Sequence, residues 1–93
     1  MKAILEVVIT KPGGGAGTVQ NAVDLPFAPY PGMEVECSAW KSSRRVEGTT
    51  LSLEPESKEA CLYVHLGTDK TVDADEQHRL IESYNGHGWN LLC

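Results

Sequence analysis

Three segments in the middle of the chain alternate apolar and polar residues. They span residues 33–40, 46–53 and 60–66, and short polar stretches join them. A period of two is typical of strands that bury one face against a core. We therefore predict three consecutive strands of one antiparallel sheet, connected by loops at residues 42–44 and 55–58.

The apolar residues also predict how these strands pair, because a slip of one residue turns a whole strand over. The register that brings most apolar residues together places Leu51 between Val35 and Leu62, and it places Leu53 opposite Ala60. Glu47 is the one misfit in this arrangement. The inner face, which we expect the helix to cover, then carries Met33, Val35, Cys37, Leu51, Leu53, Leu62, Val64 and Leu66.

The opposite face of the predicted sheet, here called the outer face, is mostly polar but also holds large apolar residues. Ile4 and Val8 join it if Glu6, on the same side of the first strand, points outward. A sheet with one face covered normally presents polar residues on the other. This exception makes the outer face a candidate ligand site or interface, and its residues are Trp40, Tyr63, His65, Glu36, Ile4, Val8 and Val46.

The first part of the chain predicts a strand followed by a loop. Residues 3–9 are apolar and β-branched with a single charge, which is typical of a strand inside a sheet. The glycine-rich segment after them predicts a flexible loop over residues 11–18. It is not a phosphate-binding P-loop, because its last glycine, Gly17, is not followed by Lys-Ser or Lys-Thr. Residues 18–25 fit either a short strand or an extended connector.

One amphipathic helix is predicted over residues 74–85. Asp73 can cap its start, and Gly86 suits the left-handed residue that often ends a helix. The apolar tail, residues 87–93 with Trp89, is expected to pair with a strand or to pack under the helix. The stripe of the helix that faces the core is expected to contain Gln77, Leu80, Ile81 and Tyr84.

Together these elements predict a single α+β domain over residues 1–93. Its sheet is expected to be antiparallel, with four or five strands and one C-terminal helix packed on one face. A chain of 93 residues buries only about 60–65% of the surface that its unfolded form exposes, so its stability margin is small. Further burial by self-association would stabilise it.

The composition narrows the possible functions. A net charge of −5 argues against a general nucleic-acid binder, which needs a basic face. One basic patch, Lys41, Arg44 and Arg45, is a candidate contact for phosphate or for an acidic partner. No apolar run approaches the ~20 residues that span a bilayer, and no signal peptide is recognisable. We expect a cytoplasmic protein with no membrane contact.

The cysteines predict neither a metal site nor a disulfide framework. Cys37, Cys61 and Cys93 are odd in number and unrelated in spacing. Cys37 and Cys61 also fall on opposite faces of the predicted sheet, so they cannot share an ion. We expect no bound metal, no cofactor and a reducing compartment.

Two functions fit these observations best. The first is a non-enzymatic interaction module that self-associates through the outer face, most simply as a homodimer. The second is a small-molecule-binding protein or small enzyme that uses Glu36, Tyr63 and His65 on the same face, with Trp40 as a stacking wall. Nucleic-acid binding through the basic patch is a third, less favoured function.

Overall fold

The computed structural model describes residues 2–53 and 60–92. The main sheet has five strands, and two further strands pair in a separate small sheet. The prediction of an α+β domain with a sheet of four or five strands and one C-terminal helix is confirmed, with five strands observed. In chain order the elements are β1 (Lys2–Thr10), β2 (Gly17–Asp24), β3 (Glu34–Val35), β4 (Arg44–Arg45), β5 (Gly48–Leu53), β6 (Ala60–Lys70), α1 (Ala74–Gly86) and β7 (Asn90–Leu92).

The main sheet is mixed, so the prediction of a purely antiparallel sheet is wrong. Its strand order is β5-β6-β1-β2-β7. The central strand, β1, runs antiparallel to β2 but parallel to β6. A short connection makes β1 and β2 an antiparallel hairpin, whereas the chain reaches the other side of β1 only through a long crossover that contains β3, β4 and β5. Parallel neighbours require such a crossover.

The pairing of β5 with β6 agrees with the register predicted from the leucines. Leu51 lies opposite Leu62, and Leu53 lies opposite Ala60. Since directly opposite residues share a face, these residues all point to the side of the sheet that carries the core. The predicted loop at residues 55–58 lies outside the described residues.

The strand predicted over residues 33–40 is wrong for most of its length. Only β3 is extended there, and it pairs with β4 instead of β5. Residues 36–43 form the connection between β3 and β4, which is longer than the predicted loop. The reason is that Cys37 and Trp40 contact Trp89 instead of continuing the alternation. Trp89 Nε1 donates to Cys37 Sγ at 3.3 Å, and the two indole centroids are 5.7 Å apart.

The core lies between the inner face of the sheet and the elements that cover it. Helix α1 contacts β1, β2 and β7, and residues from the segment between β2 and β5 pack beside it. Each fully buried apolar side chain contributes about 1.5–3 kcal/mol before the entropy cost of folding is subtracted. The largest fully buried side chains are Trp89, Tyr84, Ile9, Val7, Val19, Val46 and Val64.

Helix α1 begins where the sequence predicts and extends one residue further. Asp73 caps its start by accepting a hydrogen bond from the backbone N–H of Glu76 at 2.8 Å. Gly86 is still helical, so its predicted role as the left-handed cap is wrong. The residue with positive φ, 89°, is Gly88, and the turn that it forms carries the Trp89 indole into the core. No helix in the described ranges is both long enough and apolar enough to cross a bilayer.

Two segments whose structure the sequence leaves open both join the sheet. Strand β2 begins at Gly17, so Gly17 and Thr18 are strand residues and the glycine-rich connection covers residues 11–16. A Cβ at Gly17 would lie 3.2 Å from Ile81 Cδ1, so glycine allows α1 to approach β2 closely. Strand β7 pairs with β2, and Trp89 is buried, which confirms both expectations for the tail.

Candidate functional site

Four polar side chains form a hydrogen-bonded row across the outer face of the sheet. Glu6 in β1 lies directly opposite Gln20 in β2 and His65 in β6. Gln20 Nε2 donates to Glu6 Oε1 at 2.7 Å, and Glu6 Oε2 lies 3.2 Å from His65 Nδ1. On the other side of the ring, Thr50 Oγ1 lies 3.0 Å from His65 Nε2. We call Gln20, Glu6, His65 and Thr50 the polar row.

The contacts of the polar row assign its protons. An ionised carboxylate has no proton to donate, so the His65 Nδ1 that faces Glu6 carries the hydrogen. In the neutral ring Nε2 then accepts from the Thr50 hydroxyl, and in the protonated ring both nitrogens donate. Both carboxylate oxygens of Glu6 and both ring nitrogens of His65 therefore have a hydrogen-bond partner within the chain.

Apolar side chains lie on both sides of the polar row. On one side Ile4 lies opposite Tyr63, and on the other side Val8 follows along β1. Helix α1 and the segment between β2 and β5 pack against the core on the inner face, and Ile4, Val8 and Tyr63 are each half-buried on the outer face. The Glu6 side chain is only 17% exposed, because neighbouring side chains on the sheet shield it. The outer face is thus a flat surface with an internally paired charge at its centre.

The structure places three residues of the predicted outer face elsewhere: Val46, Glu36 and Trp40. Val46 is only 2% exposed and belongs to the core, because its backbone N–H donates to the Met33 carbonyl at 2.8 Å instead of entering the main sheet. Glu36 was expected in one row with Thr50 and Tyr63, but it lies in the connection between β3 and β4. The carboxylate that lies beside His65 is that of Glu6. The predicted residues that do lie on the outer face are Ile4, Val8, Tyr63 and His65.

Trp40 was also predicted on the outer face, but it lies on the inner side in a second cluster. Trp40 Nε1 donates to Tyr84 Oη at 2.8 Å, and Tyr84 Oη donates to Asp69 Oδ2 at 2.9 Å. Arg44 donates to Asp69 Oδ1 at 2.7 Å, and its guanidinium carbon lies 4.9 Å from the Trp40 ring centroid. These four residues, here called the Tyr84 network, form a closed ring that joins the connection of β3 and β4 to α1 and β6.

The predicted basic patch is largely neutralised by carboxylates. Arg44 is bound to Asp69, and Arg45 lies 3.9 Å from a carboxylate oxygen of Glu34. Lys41 is exposed in the connection between β3 and β4. Because two of the three cations face carboxylates, this surface has little positive charge left for a phosphate backbone.

Tyr84 is expected to ionise later than an exposed tyrosine. Burial raises the pKa of Tyr84 from 10.0 to about 12; the hydrogen bond from Trp40 lowers it, and the one to Asp69 raises it. Because the folded-state pKa is the higher one, the resulting stabilisation is complete below pH ~10 and is lost as the pH rises further. An alkaline absorbance titration should show one late-ionising tyrosine, which Tyr84→Phe removes. Simultaneous ionisation of all three tyrosines would contradict this expectation.

A second histidine meets a serine away from the outer face. Ser38 Oγ lies 2.8 Å from His87 Nδ1, and both side chains are exposed. Ser38 also lines an open cavity of about 450 Å³ beside Trp40 and Lys41. In the part of the chain that the structure describes, no carboxylate bonds to His87, so the pair lacks the group that orients a catalytic imidazole. Sequence reasoning missed this contact because the two residues are 49 positions apart.

The described residues do not bring metal ligands together. Among them, no group of three or more His, Cys, Asp and Glu side chains converges on one point. Cys37 accepts a hydrogen bond on the inner side, whereas Cys61 lies opposite Ser52 in the main sheet. Cys93 lies outside the described residues.

Comparison with protein-family models, with curated proteins and with solved structures finds no match. Any function of this chain must therefore be inferred from its own geometry.

Proposed function

We propose that the protein is a non-enzymatic interaction module that self-associates through its outer face as a two-fold homodimer. The observation that supports this most strongly is the polar row. Burying a carboxylate or an imidazole is costly unless it is paired and hydrogen-bonded. Glu6 and His65 already have their partners within one copy, so a second surface can cover them without leaving a polar atom unsatisfied.

The distribution of charge favours a second copy as the partner. Each chain has a net charge of −5, so two copies repel unless they meet at a surface with little net charge. Glu6, at the centre of the outer face, has both carboxylate oxygens held by partners within its own copy, Gln20 and His65. Ile4 and Tyr63 lie on one side of the row and Val8 on the other. A two-fold axis parallel to the strands and midway between β1 and β6 places Ile4 of one copy over Tyr63 of the other and Glu6 over His65. Apolar groups then meet apolar groups and the two carboxylates do not face each other, which makes the face self-complementary.

The size of the outer face sets the expected strength of the dimer. With strands about 4.8 Å apart and a rise of about 3.3 Å per residue, a five-stranded sheet of this length offers roughly 500 Å² per copy. The total of roughly 1,000 Å² is at the lower limit for a specific interface. We therefore expect a reversible dimer with a dissociation constant in the micromolar range.

Tyr63→Arg is expected to weaken this dimer about 100-fold, because the contact would then bury an unpaired guanidinium. Sedimentation equilibrium over a range of concentrations measures the effect. Tyr30→Arg is the matched control, since Tyr30 is 61% exposed and lies outside the sheet. A wild-type protein that stays monomeric at high micromolar concentration contradicts the proposal, and so does a Tyr63→Arg variant that associates like the wild type.

A small-molecule function is the second candidate, supported by the order of groups in the polar row. Glu6, His65 and Thr50 place a carboxylate, an imidazole and a hydroxyl in the same hydrogen-bonded order as in the catalytic triads of hydrolases. Two open cavities, of about 450 and 610 Å³, are lined by other residues. A thermal-shift screen with a metabolite library separates the two candidates: a hit that His65→Ala abolishes favours this one.

A further inference from the structure

The edge strand β5 lacks the features that normally prevent edges from pairing. It pairs with β6 on one side, and its other side has no strand partner among the described residues. Natural edge strands are blunted by charges, by proline or by short length. β5 reads Gly-Thr-Thr-Leu-Ser-Leu over six residues, with no charge and no proline. The opposite edge, β7, has only three residues, so the two edges differ.

Two leucines make this edge apolar as well as unpaired. Leu51 is 56% exposed and Leu53 is 70% exposed. Both lie opposite residues of the inner face, Leu62 and Ala60. The apolar surface of the core therefore continues to the edge of the sheet and ends at two solvent-exposed leucines.

We propose that β5 pairs antiparallel with β5 of a second copy across a two-fold axis, which joins the two main sheets into one. Side chains alternate along a strand, and directly opposite residues share a face. With Leu51 of one copy opposite Leu51 of the other, the leucines of both strands lie on the inner side. They form one apolar cluster that continues both cores, in which Leu53 of each copy lies opposite Thr49 of the other, while Thr50 and Ser52 point to the outer side.

Charge and strand length favour a second copy as the occupant of this edge. Two acidic chains approach most easily along an uncharged strand, and β5 has no charge along its length. Pairing of β5 with itself is isologous, so each strand offers the other the same length and the same leucines. Pairing of β5 with β7 of another copy would use only three residues and would leave most of β5 unpaired.

The edge contact uses a different surface from the proposed outer-face contact, and neither blocks the other. Joining two sheets through β5 leaves both outer faces exposed. A protein with both contacts therefore exceeds the mass of two copies at high concentration, whereas a protein with one contact stops at two. This difference makes the two proposals separable in one experiment.

The test is sedimentation equilibrium of four proteins: wild type, Leu51→Lys/Leu53→Lys, Tyr63→Arg and the combined variant. Lysine on an edge strand blocks pairing, and both leucines are more than half exposed, so the core is left intact. We expect the edge variant and the Tyr63→Arg variant each to stop at two copies, and the combined variant to stay at one. Val72→Lys, at another exposed apolar residue (72%), is the control and should match the wild type.

Each other result has a definite meaning. If Leu51→Lys/Leu53→Lys associates like the wild type, the edge contact is wrong, whatever Tyr63→Arg does. If the edge variant is monomeric while Tyr63→Arg has no effect, the edge contact stands and the outer-face contact is wrong. A monomeric wild type overturns both. As a second readout in the Tyr63→Arg background, hydrogen exchange of the β5 amides should slow with rising concentration, and the leucine substitutions should abolish that slowing.

Discussion

Trp89→Ala is expected to lower the free energy of unfolding by about 3–5 kcal/mol, which leaves the fold only marginally stable at ordinary temperature. The Trp89 side chain is 1% exposed, and its ring lies 5.3 Å from Tyr84 and 5.7 Å from Trp40 between centroids. Truncation of a buried tryptophan to alanine costs about 3–5 kcal/mol. The free energy of unfolding of a whole domain is only about 5–15 kcal/mol, and small domains lie at the lower end.

Urea denaturation followed by circular dichroism measures this loss of stability. Val72→Ala is a suitable control, since that side chain is 72% exposed and truncation there should change the free energy of unfolding by less than about 0.5 kcal/mol. A Trp89→Ala protein whose unfolding free energy falls by less than about 1 kcal/mol would show that the indole is not part of the core.

Asp69→Ala is expected to lower the free energy of unfolding by about 2–3 kcal/mol, less than Trp89→Ala but more than a typical surface substitution. The carboxylate accepts from Tyr84 Oη and from Arg44. The side chains of Arg44 and Asp69 are only 25% and 17% exposed. Without Asp69 a largely buried guanidinium has no counter-ion and the tyrosine hydroxyl loses its acceptor, so two partners are left unsatisfied by one change.

A double-mutant cycle tests this explanation. If the cost comes mainly from the unpaired guanidinium, Asp69→Ala with Arg44→Leu should be more stable than the sum of the single losses predicts. Arg45→Leu is the matched control, because Arg45 is exposed and lies 3.9 Å from Glu34, a surface pair worth less than about 1 kcal/mol. Additive losses at Asp69 and Arg44 would mean that the two residues stabilise the protein independently.

The parts of the fold that the sequence predicted are those set by local pattern. The register of β5 and β6 could be predicted from their leucines, because a shift of one residue would turn Leu51 away from the face that carries Leu62. Asp73 likewise predicted the start of α1, because a helix cap is a local contact between residues three positions apart. The strand predicted over residues 33–40 failed for a long-range reason: its alternation serves contacts of Cys37 and Trp40 with Trp89, which lies far along the chain.

The candidate site was predicted in its location but not in its connections. The outward position of Tyr63 and His65 followed from the register of β6. The partner of His65 did not, because the contact with Glu6 depends on the parallel pairing of β1 with β6, and nothing local in one sequence specifies which strand lies beside β1. The available signal was Glu6 itself, a single charge in an otherwise apolar strand.

The parallel pairing of β1 with β6 also limits the order in which the strands of the sheet can pair during synthesis. Strand β1 leaves the ribosome early, but its neighbour β6 is complete only after Lys70 has been added. Until then the nascent chain exposes one apolar edge of β1, the kind of edge that attracts chaperones and neighbouring nascent chains. High contact order of this type also slows folding compared with a simple meander of the same size. Among the described strands, the one that is synthesised first is thus among the last to be fully enclosed.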